Sequence, residues 1–336
     1  MMPAEQIGYE EGRARQLDAL SATVERMAGS PDPLDGAAEI ALVGISASFA
    51  ALATPLHVLR AAGRAVWRSD CSDLPVVSDP RPGALIALSQ GGRSVETNAV
   101  VTRFADAGVC TIAITNASES PLADAAGDAI RLGGGTDSRV STVGFVTTYT
   151  AVAMLAERWA GITPGTGWDA LPGIIERALA EAAPVLHAFA DEQLAHGAVD
   201  VVASADQLTA AEASALLLRE GPLVPSAAYG TRAYLHGPMD AAGEGVAHVV
   251  IGGARERQLV EQLEERASAT LFLAETPHLR GDAPFEVAVP GGLTDGQRAL
   301  VTVCLLQQLV SETARVRGNA VDEAVFTRLD TKLTVT

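Results

Sequence analysis

Short apolar runs alternate with amphipathic stretches along nearly the whole chain, and this alternation restricts it to an α/β architecture. Ile40 to Gly44, Ala65 to Arg68, Ala84 to Leu88, Cys110 to Thr115 and Ala129 to Leu132 read as strands. Ser46 to Ala62, Ser94 to Ala107 and Thr142 to Ala160 read as helices between and after them. Strands that are apolar almost throughout need both faces covered, which means a parallel sheet with helices on each side. The chain then becomes rich in Gly, Thr and Pro at 161–169, and the alternation restarts. Helices are expected at Ala170–Glu192, Gln207–Glu220, Arg255–Ala267 and Gln297–Val316, with strands at Asp200–Ala203, Ala247–Ile251, Thr270–Leu273 and Phe285–Ala288. The expected fold class is α/β, with two doubly wound parallel-sheet sandwiches. Its divisions are an N-terminal helix at 1–37, ended by Ser30-Pro31-Asp32-Pro33, a first domain at 38–160, and a second at 170–336. At 336 residues, two domains are also what length predicts.

The stretch Ser89-Gln90-Gly91-Gly92-Arg93-Ser94 joins an apolar strand to an amphipathic helix. Glycines let the backbone approach a ligand, and the free N–H groups of a helix's first turn favour an anion. Ser89, Gln90 and Ser94 add side-chain donors without charge. No Gly-Lys-Ser/Thr loop is present to hold magnesium and a γ-phosphate, so a sugar phosphate suits this loop better than a nucleoside triphosphate. A serine capping an ordinary helix is the plainer alternative. The second half has Ser204-Ala205-Asp206 at the corresponding place. The acid opposes an anion there, so one phosphate site is expected, in the first half.

Charge and cysteine usage narrow the partners. A net charge of −17 opposes binding to nucleic acid and to anionic membrane surfaces. Cys71, Cys110 and Cys304 are widely spaced and fit a reducing compartment; Cys110 and Cys304 sit in apolar runs and are expected in the core. No apolar stretch near the ~18 residues of a spanning helix occurs, so a soluble, cytoplasmic protein is expected. His57, His187, His196, His248 and His278 share no ligand spacing, and no metal site is expected. Neither Gly133-Gly134-Gly135 nor Gly252-Gly253 completes a dinucleotide fingerprint, so NAD is disfavoured and no cofactor is expected.

Four segments, in order, resemble the sugar isomerase (SIS) family. They are Val43-Gly44-Ile45-Ser46-Ala47-Ser48, Ser89 through Thr97, Ile114 through Ala123, and Val140-Ser141-Thr142. The second half resembles the second domain of two-domain members, such as the isomerase part of glucosamine-fructose-6-phosphate aminotransferase. The resemblance there rests on Arg219-Glu220, Ala228-Tyr229, Leu235-His236-Gly237-Pro238 and the tail Lys332-Leu333-Thr334-Val335-Thr336.

The resemblance implies a pocket for a sugar phosphate lined by Ser46, Ser89, Gln90, Gly91, Gly92, Arg93, Ser94, Ser141 and Thr142. It implies Glu220 as the acid/base between C1 and C2, His236 as the group assisting ring opening from a neighbouring subunit, and Lys332 as a tail lysine reaching the sugar. The activity implied is isomerisation or deamination of a ketose or amino-sugar 6-phosphate. These residues carry no segment resembling a glutamine-hydrolysing domain, so no glutamine hydrolysis is expected. Fructosamine 6-phosphate deglycation and non-catalytic sensing are the alternatives. Gly91 stands where the family usually has serine, leaving Arg93 as a replacement phosphate contact, and Leu217 and Val143 stand at common lysine positions. A homodimer with shared sites is expected.

Taken from the residues alone, Glu220 at the end of an apolar helix is more often solvated or ion-paired than catalytic. A carboxylate becomes a useful base when burial raises its pKa. His236 before Gly237-Pro238 has the ordinary reading of a turn histidine, and Lys332 that of a solvated tail lysine.

Overall fold

The computed structural model describes residues 6–30, 39–74, 81–275, 285–327 and 329–333. The expected break at Pro31–Pro33, His278 and the last residues Thr334–Thr336 lie outside them. The chain divides into two compact units, Met1–Thr163 with Ala324–Thr336, and Pro164–Glu323. The division falls inside the stretch expected to link two domains. The tail, expected with the second half, groups with the first unit.

In the first unit, α1 (Tyr9–Ala28) precedes β1 (Glu39–Gly44), α2 (Ala47–Ala50), α3 (Ala53–Ala61), β2 (Ala65–Asp70), β3 (Ala84–Leu88), α4 (Val95–Asp106), β4 (Cys110–Thr115), α5 (Pro121–Ala125), β5 (Asp128–Arg131) and α6 (Val143–Ala160). All strand pairs are parallel, in the order β2-β1-β3-β4-β5. Helix α6 is apolar on nearly every face, which only a fully covered helix tolerates. It is buried with α1 and α3 packed along it. On the opposite face, Val100, Val101 and Phe104 of α4 and Leu122 of α5 pack on Ala41, Val43, Leu85, Ala87 and Ala113.

The second unit repeats this order. It comprises α7 (Leu171–Gln193), β6 (Ala198–Ala203), α8 (Leu208–Glu220), β7 (Ser226–Gly230), α9 (Thr231–Tyr234), β8 (Val246–Ile251), α10 (Ala254–Glu265), β9 (Thr270–Ala274), β10 (Glu286–Ala288) and α11 (Asp295–Arg317). Its parallel sheet runs β10-β9-β8-β6-β7. Helices α7, α8 and α11 pack together on one face. Leu259, Val260 and Leu263 of α10 share the other face with Tyr234 of α9. In both units the third strand pairs with the first, on the side away from the second. Right-handed crossovers then place successive helices on opposite faces.

Three expectations need correction. The single helix expected at Ser46–Ala62 is two, separated at Ala51-Leu52. Strand β7, Ser-Ala-Ala-Tyr-Gly, was not expected; it is a half-buried edge strand, and its residues lack the apolar run that marks the central ones. Cys110, expected in the core, opens β4 and is exposed, whereas Cys304 is fully buried.

A polar cluster is buried within the second sheet. His248 is 0% exposed. The Ser268 hydroxyl donates to the Val246 carbonyl (2.7 Å), so His248 Nδ1–H donates to Ser268 Oγ (2.8 Å) and Nε2 accepts from the Tyr234 hydroxyl (2.6 Å). Burial pushes His248 down from 6.5 to about 4. Between those values the unfolded chain binds a proton that the folded imidazole refuses. The stability that neutral His248 supports is therefore full above pH 6.5 and is lost as pH falls towards 4, at about 1.4 kcal/mol per pH unit. Asp200, held above the usual carboxylate value by burial, acts with the opposite sign. Denaturant titrations should show the pH 6.5-to-4 loss reduced by roughly 3 kcal/mol in His248→Gln relative to the parent; equal losses in the two proteins would refute this account.

Candidate functional site

The strand order of the first unit reverses between β1 and β3, and ligands of open α/β sheets bind beyond the carboxyl ends of the strands at such a point. Two loops border this crevice. The first leaves β1 at Gly44, against which the backbone of Ser48 and Phe49 packs so closely that no Cβ fits. Ser46 follows at φ 57°, ψ −126°, a conformation that serine rarely adopts, and its side chain is exposed. Strain of this kind gathers at ligand sites, at a cost of about 1–3 kcal/mol.

The second loop is Ser89–Ser94, and it is braced from several sides. Ser89 N–H donates to the Ile114 carbonyl (3.1 Å), and the Gln90 carbonyl accepts from Asn116 N–H (2.8 Å) and the Thr115 hydroxyl (3.1 Å). Gly92 has φ 60°, and a side chain there would collide with Ser120. Gly91 faces open space, so a side chain at this position would meet nothing. Ser94 caps α4 by accepting from Thr97 N–H (3.3 Å), and its own hydroxyl donates to Glu96 Oε2 (3.0 Å). Ser94 is thus the plain helix cap, and it is buried. Cys71 lies under this turn, its thiol donating to Thr97 Oγ1 at 3.6 Å. Burial pushes it up to about 11, which keeps it a thiol and a poor nucleophile.

Ser141 and Thr142 arrive at the same loop through the start of α6. Gly144, the second residue of α6, is flanked by both Gln90 and Asp137, and a side chain there would strike each. Asp137 was missed by sequence reasoning. Its carboxylate accepts from the Ser141 hydroxyl (2.6 Å), Thr142 N–H (3.1 Å), the Thr142 hydroxyl (3.2 Å) and Ser138 N–H (2.9 Å). It therefore occupies the Ser141 and Thr142 donors that the sequence led us to expect on a phosphate. The glycine run explains how it gets there. Gly133 and Gly135 have positive φ, and Gly134 packs on Asn116, whose Oδ1 accepts from Gly134 N–H (2.9 Å) and the Thr147 hydroxyl (3.1 Å). An acid two residues beyond three glycines and four before Ser141 was the available signal.

Arg93 does not aim the expected charge into the cradle. Its Nε and Nη2 donate to the Leu333 carbonyl at 3.1 and 2.9 Å, while Leu333 N–H donates to the Arg93 carbonyl at 2.8 Å. Ser94 and Lys332 form an antiparallel bridge, so Lys332 stands beside the loop. Two of the expected catalytic residues lie in the second unit. Glu220 is the last residue of α8, where neighbouring Arg219 donates to the Ser226 carbonyl (3.0 Å). His236 is exposed in the turn after α9. Helices α8 and α9 cover opposite faces of their sheet, so the structure does not gather these two as it gathers Lys332 and Ser94.

Two substitutions probe these contacts. Arg93→Ala should release the tail, read as faster proteolysis near Lys332 with a loss of about 1 kcal/mol or less in stability; unchanged cleavage would refute the clamp. Asp137→Asn keeps an acceptor on Ser141 and Thr142 but removes the charge. Its affinity for inorganic phosphate should rise about tenfold by calorimetry, and an unchanged or weaker affinity would count against an anion cradle here.

No family model matches the sequence, and no curated protein matches it either. Solved structures do. The C-terminal domain of glucosamine-fructose-6-phosphate aminotransferase from Francisella tularensis superimposes with a TM-score of 0.79 at 17% identity, covering 96% of this chain and 100% of that one. Tagatose-6-phosphate ketose/aldose isomerase from Escherichia coli gives 0.77 at 16%, covering 96% of both chains. Glucosamine-6-phosphate deaminase from Thermotoga maritima gives 0.73 at 19%, covering 93% and 96%. Among the described residues, no helix is long and apolar enough to cross a membrane. From its two parallel sheets, their common strand order and these superpositions, the chain has the tandem sugar-isomerase (SIS) fold.

Proposed function

We propose that this protein is an enzyme acting on a sugar phosphate, moving a proton between C1 and C2 of a ketose or amino-sugar 6-phosphate. The observation that supports the reading is the backbone bridge between Ser94 and Lys332, which sets the tail lysine in register beside the glycine-containing loop. The named activities of the superimposed proteins, an isomerase and a deaminase of hexose 6-phosphates, support the same class.

In this reading Ser46, Ser89, Gln90, Ser94, Ser141 and Thr142 hold the phosphate end through neutral donors. Phosphate binding requires Asp137 to yield Ser141 and Thr142 or to share them. Lys332, held by the Arg93 clamp, meets the sugar. Glu220 takes the proton from the carbon beside the carbonyl and returns it to the neighbouring carbon. His236 protonates the ring oxygen as the ring opens. Imidazole suits that task near neutral pH. In isomerisation the proton removed from C2 of an aldose returns at C1, and the oxygens exchange hydroxyl and carbonyl character with no change in overall composition. In deamination, water enters and ammonia leaves.

Turnover of fructose, glucosamine and fructosamine 6-phosphates tests the class and separates isomerase, deaminase and deglycase. Absence of turnover with a ligand-induced rise in Tm would establish the sensor reading instead. In the active case, Glu220→Gln should lower kcat by about 10²–10⁴ with sugar-phosphate affinity retained. A kcat within threefold of the parent would remove Glu220 from the mechanism.

A homodimer with shared sites is part of the proposal. Its support is the placement of Glu220 and His236 on elements covering opposite faces of one sheet. A two-fold interface lets each subunit lend one residue to the other's site. Mixing inactive Glu220→Gln and His236→Ala proteins under subunit exchange should restore part of the activity, and no recovery despite demonstrated exchange would reject shared sites.

A further inference from the structure

Ser46 holds a conformation that its own side chain disfavours. Its φ of 57° and ψ of −126° are those of the first central residue of a type II′ turn, and Ser48 N–H closes that turn on the Ile45 carbonyl at 3.2 Å. Glycine is the usual residue there, because a Cβ is strained at positive φ. The chain carries serine instead, exposed beside the crevice. Such a residue keeps its conformation only where the surrounding structure opposes its relaxation to negative φ.

One restraint is the close packing of Gly44 against Ser48 and Phe49. Arg68 supplies another. Strand β2 is an edge of its sheet, and its register on β1 sets Arg68 opposite Leu42 and Asp70 opposite Gly44. From this half-buried position Arg68 engages Phe49 twice. Its Nη1 donates to the Phe49 carbonyl at 3.1 Å, and the guanidinium carbon stands 4.0 Å from the centroid of the Phe49 ring. A guanidinium can do both because it is planar, with N–H groups at its edge and a face that stacks on an aromatic ring. Lysine lacks that geometry.

The contact is transmitted to Ser46 over a short path. The Phe49 carbonyl also accepts from Leu52 N–H (3.1 Å), at the break between α2 and α3. Ala50 N–H donates to the Ser46 carbonyl (3.0 Å), which ties the turn to α2. Arg68 therefore pins both the backbone and the ring of a residue in the segment that Ser46 opens.

We propose that Arg68 is a positioning residue: through Phe49 it holds Ser46 in the strained turn, with the hydroxyl presented to the sugar phosphate. Presentation of the hydroxyl rests on the function proposed above, whereas the restraint on Ser46 does not. Arg68 itself touches no ligand in this account.

A double-mutant cycle, read by denaturant unfolding of the full chain, tests the restraint. Ser46→Gly removes the strain, since glycine accepts this φ. In that background Arg68→Ala should lower the folding constant by the full worth of the contact. In the parent, relaxation of Ser46 should return part of it, making the loss about fivefold smaller. Phe49→Leu keeps the carbonyl and removes the ring. It should couple to Ser46→Gly in the same direction, and it decides the matter if Arg68→Ala does not fold. A cycle that closes additively overturns the proposal. Calorimetry with fructose 6-phosphate and glucosamine 6-phosphate tests the presentation. Arg68→Ala and Arg68→Lys should each weaken binding about tenfold in the parent. Neither should weaken it further once Ser46→Ala has removed the hydroxyl. Equal losses with and without the hydroxyl would show that Arg68 does not act through Ser46, and would overturn the proposal. If the parent binds neither sugar phosphate, the proposed function fails and the presentation fails with it, while the unfolding cycle still decides whether Arg68 restrains Ser46.

Discussion

Pairing of β3 with β1, on the side away from β2, is the constraint from which the first unit's candidate site follows. Each crossover must be right-handed, so the reversal sends α3 and α4 to opposite faces and leaves nothing between the loops that follow β1 and β3. Ser46 and Ser89–Ser94 border that opening. The same pairing of β8 with β6 opens a cavity in the second unit. One topological rule, applied twice in a chain whose halves have little sequence in common, opens a crevice in each unit.

A carboxylate enters both crevices at a helix start. In the first unit the Ser89–Ser94 loop presents neutral donors, and Asp137 lies at the start of α6, hydrogen-bonded to Ser141 and Thr142. In the second unit Glu256 closes the helix terminus from within the same turn. A carboxylate at a helix start stabilises it through the exposed N–H groups and the dipole. The same group competes with an incoming phosphate. Stability of the empty protein and affinity for an anion are thus opposed at these two termini.

The first unit also shows an apparent binding group acting as a positioning residue. Arg93 follows the glycines of the loop, and charge alone recommends it for a phosphate. Its planar fork is directed at the Leu333 carbonyl across 240 residues of sequence. Side-chain and backbone bonds together hold the tail in register beside Ser94, so a lysine on an exposed terminus acquires a defined place.

Much of this was legible along the chain. Ala84–Leu88 and Cys110–Thr115 were found with their observed bounds, because central parallel strands must be apolar on both faces. Ser94 was readable as the start of α4 because a helix cap is local chemistry. The edge strand β7 escaped because an edge needs no such run, and the break at Ala51-Leu52 was overlooked although Pro55, in the first turn of α3, was the available signal. Sequence by itself determined the class of fold, the two-fold repetition and the loop residues around Ser89, since each depends on neighbours a few residues apart. Only the tertiary structure decided that Asp137 occupies the start of α6, that Arg93 binds the tail, and that α8 and α9, leading to Glu220 and His236, cover opposite faces of a sheet. Those facts rest on contacts between distant segments, which no local period or spacing encodes.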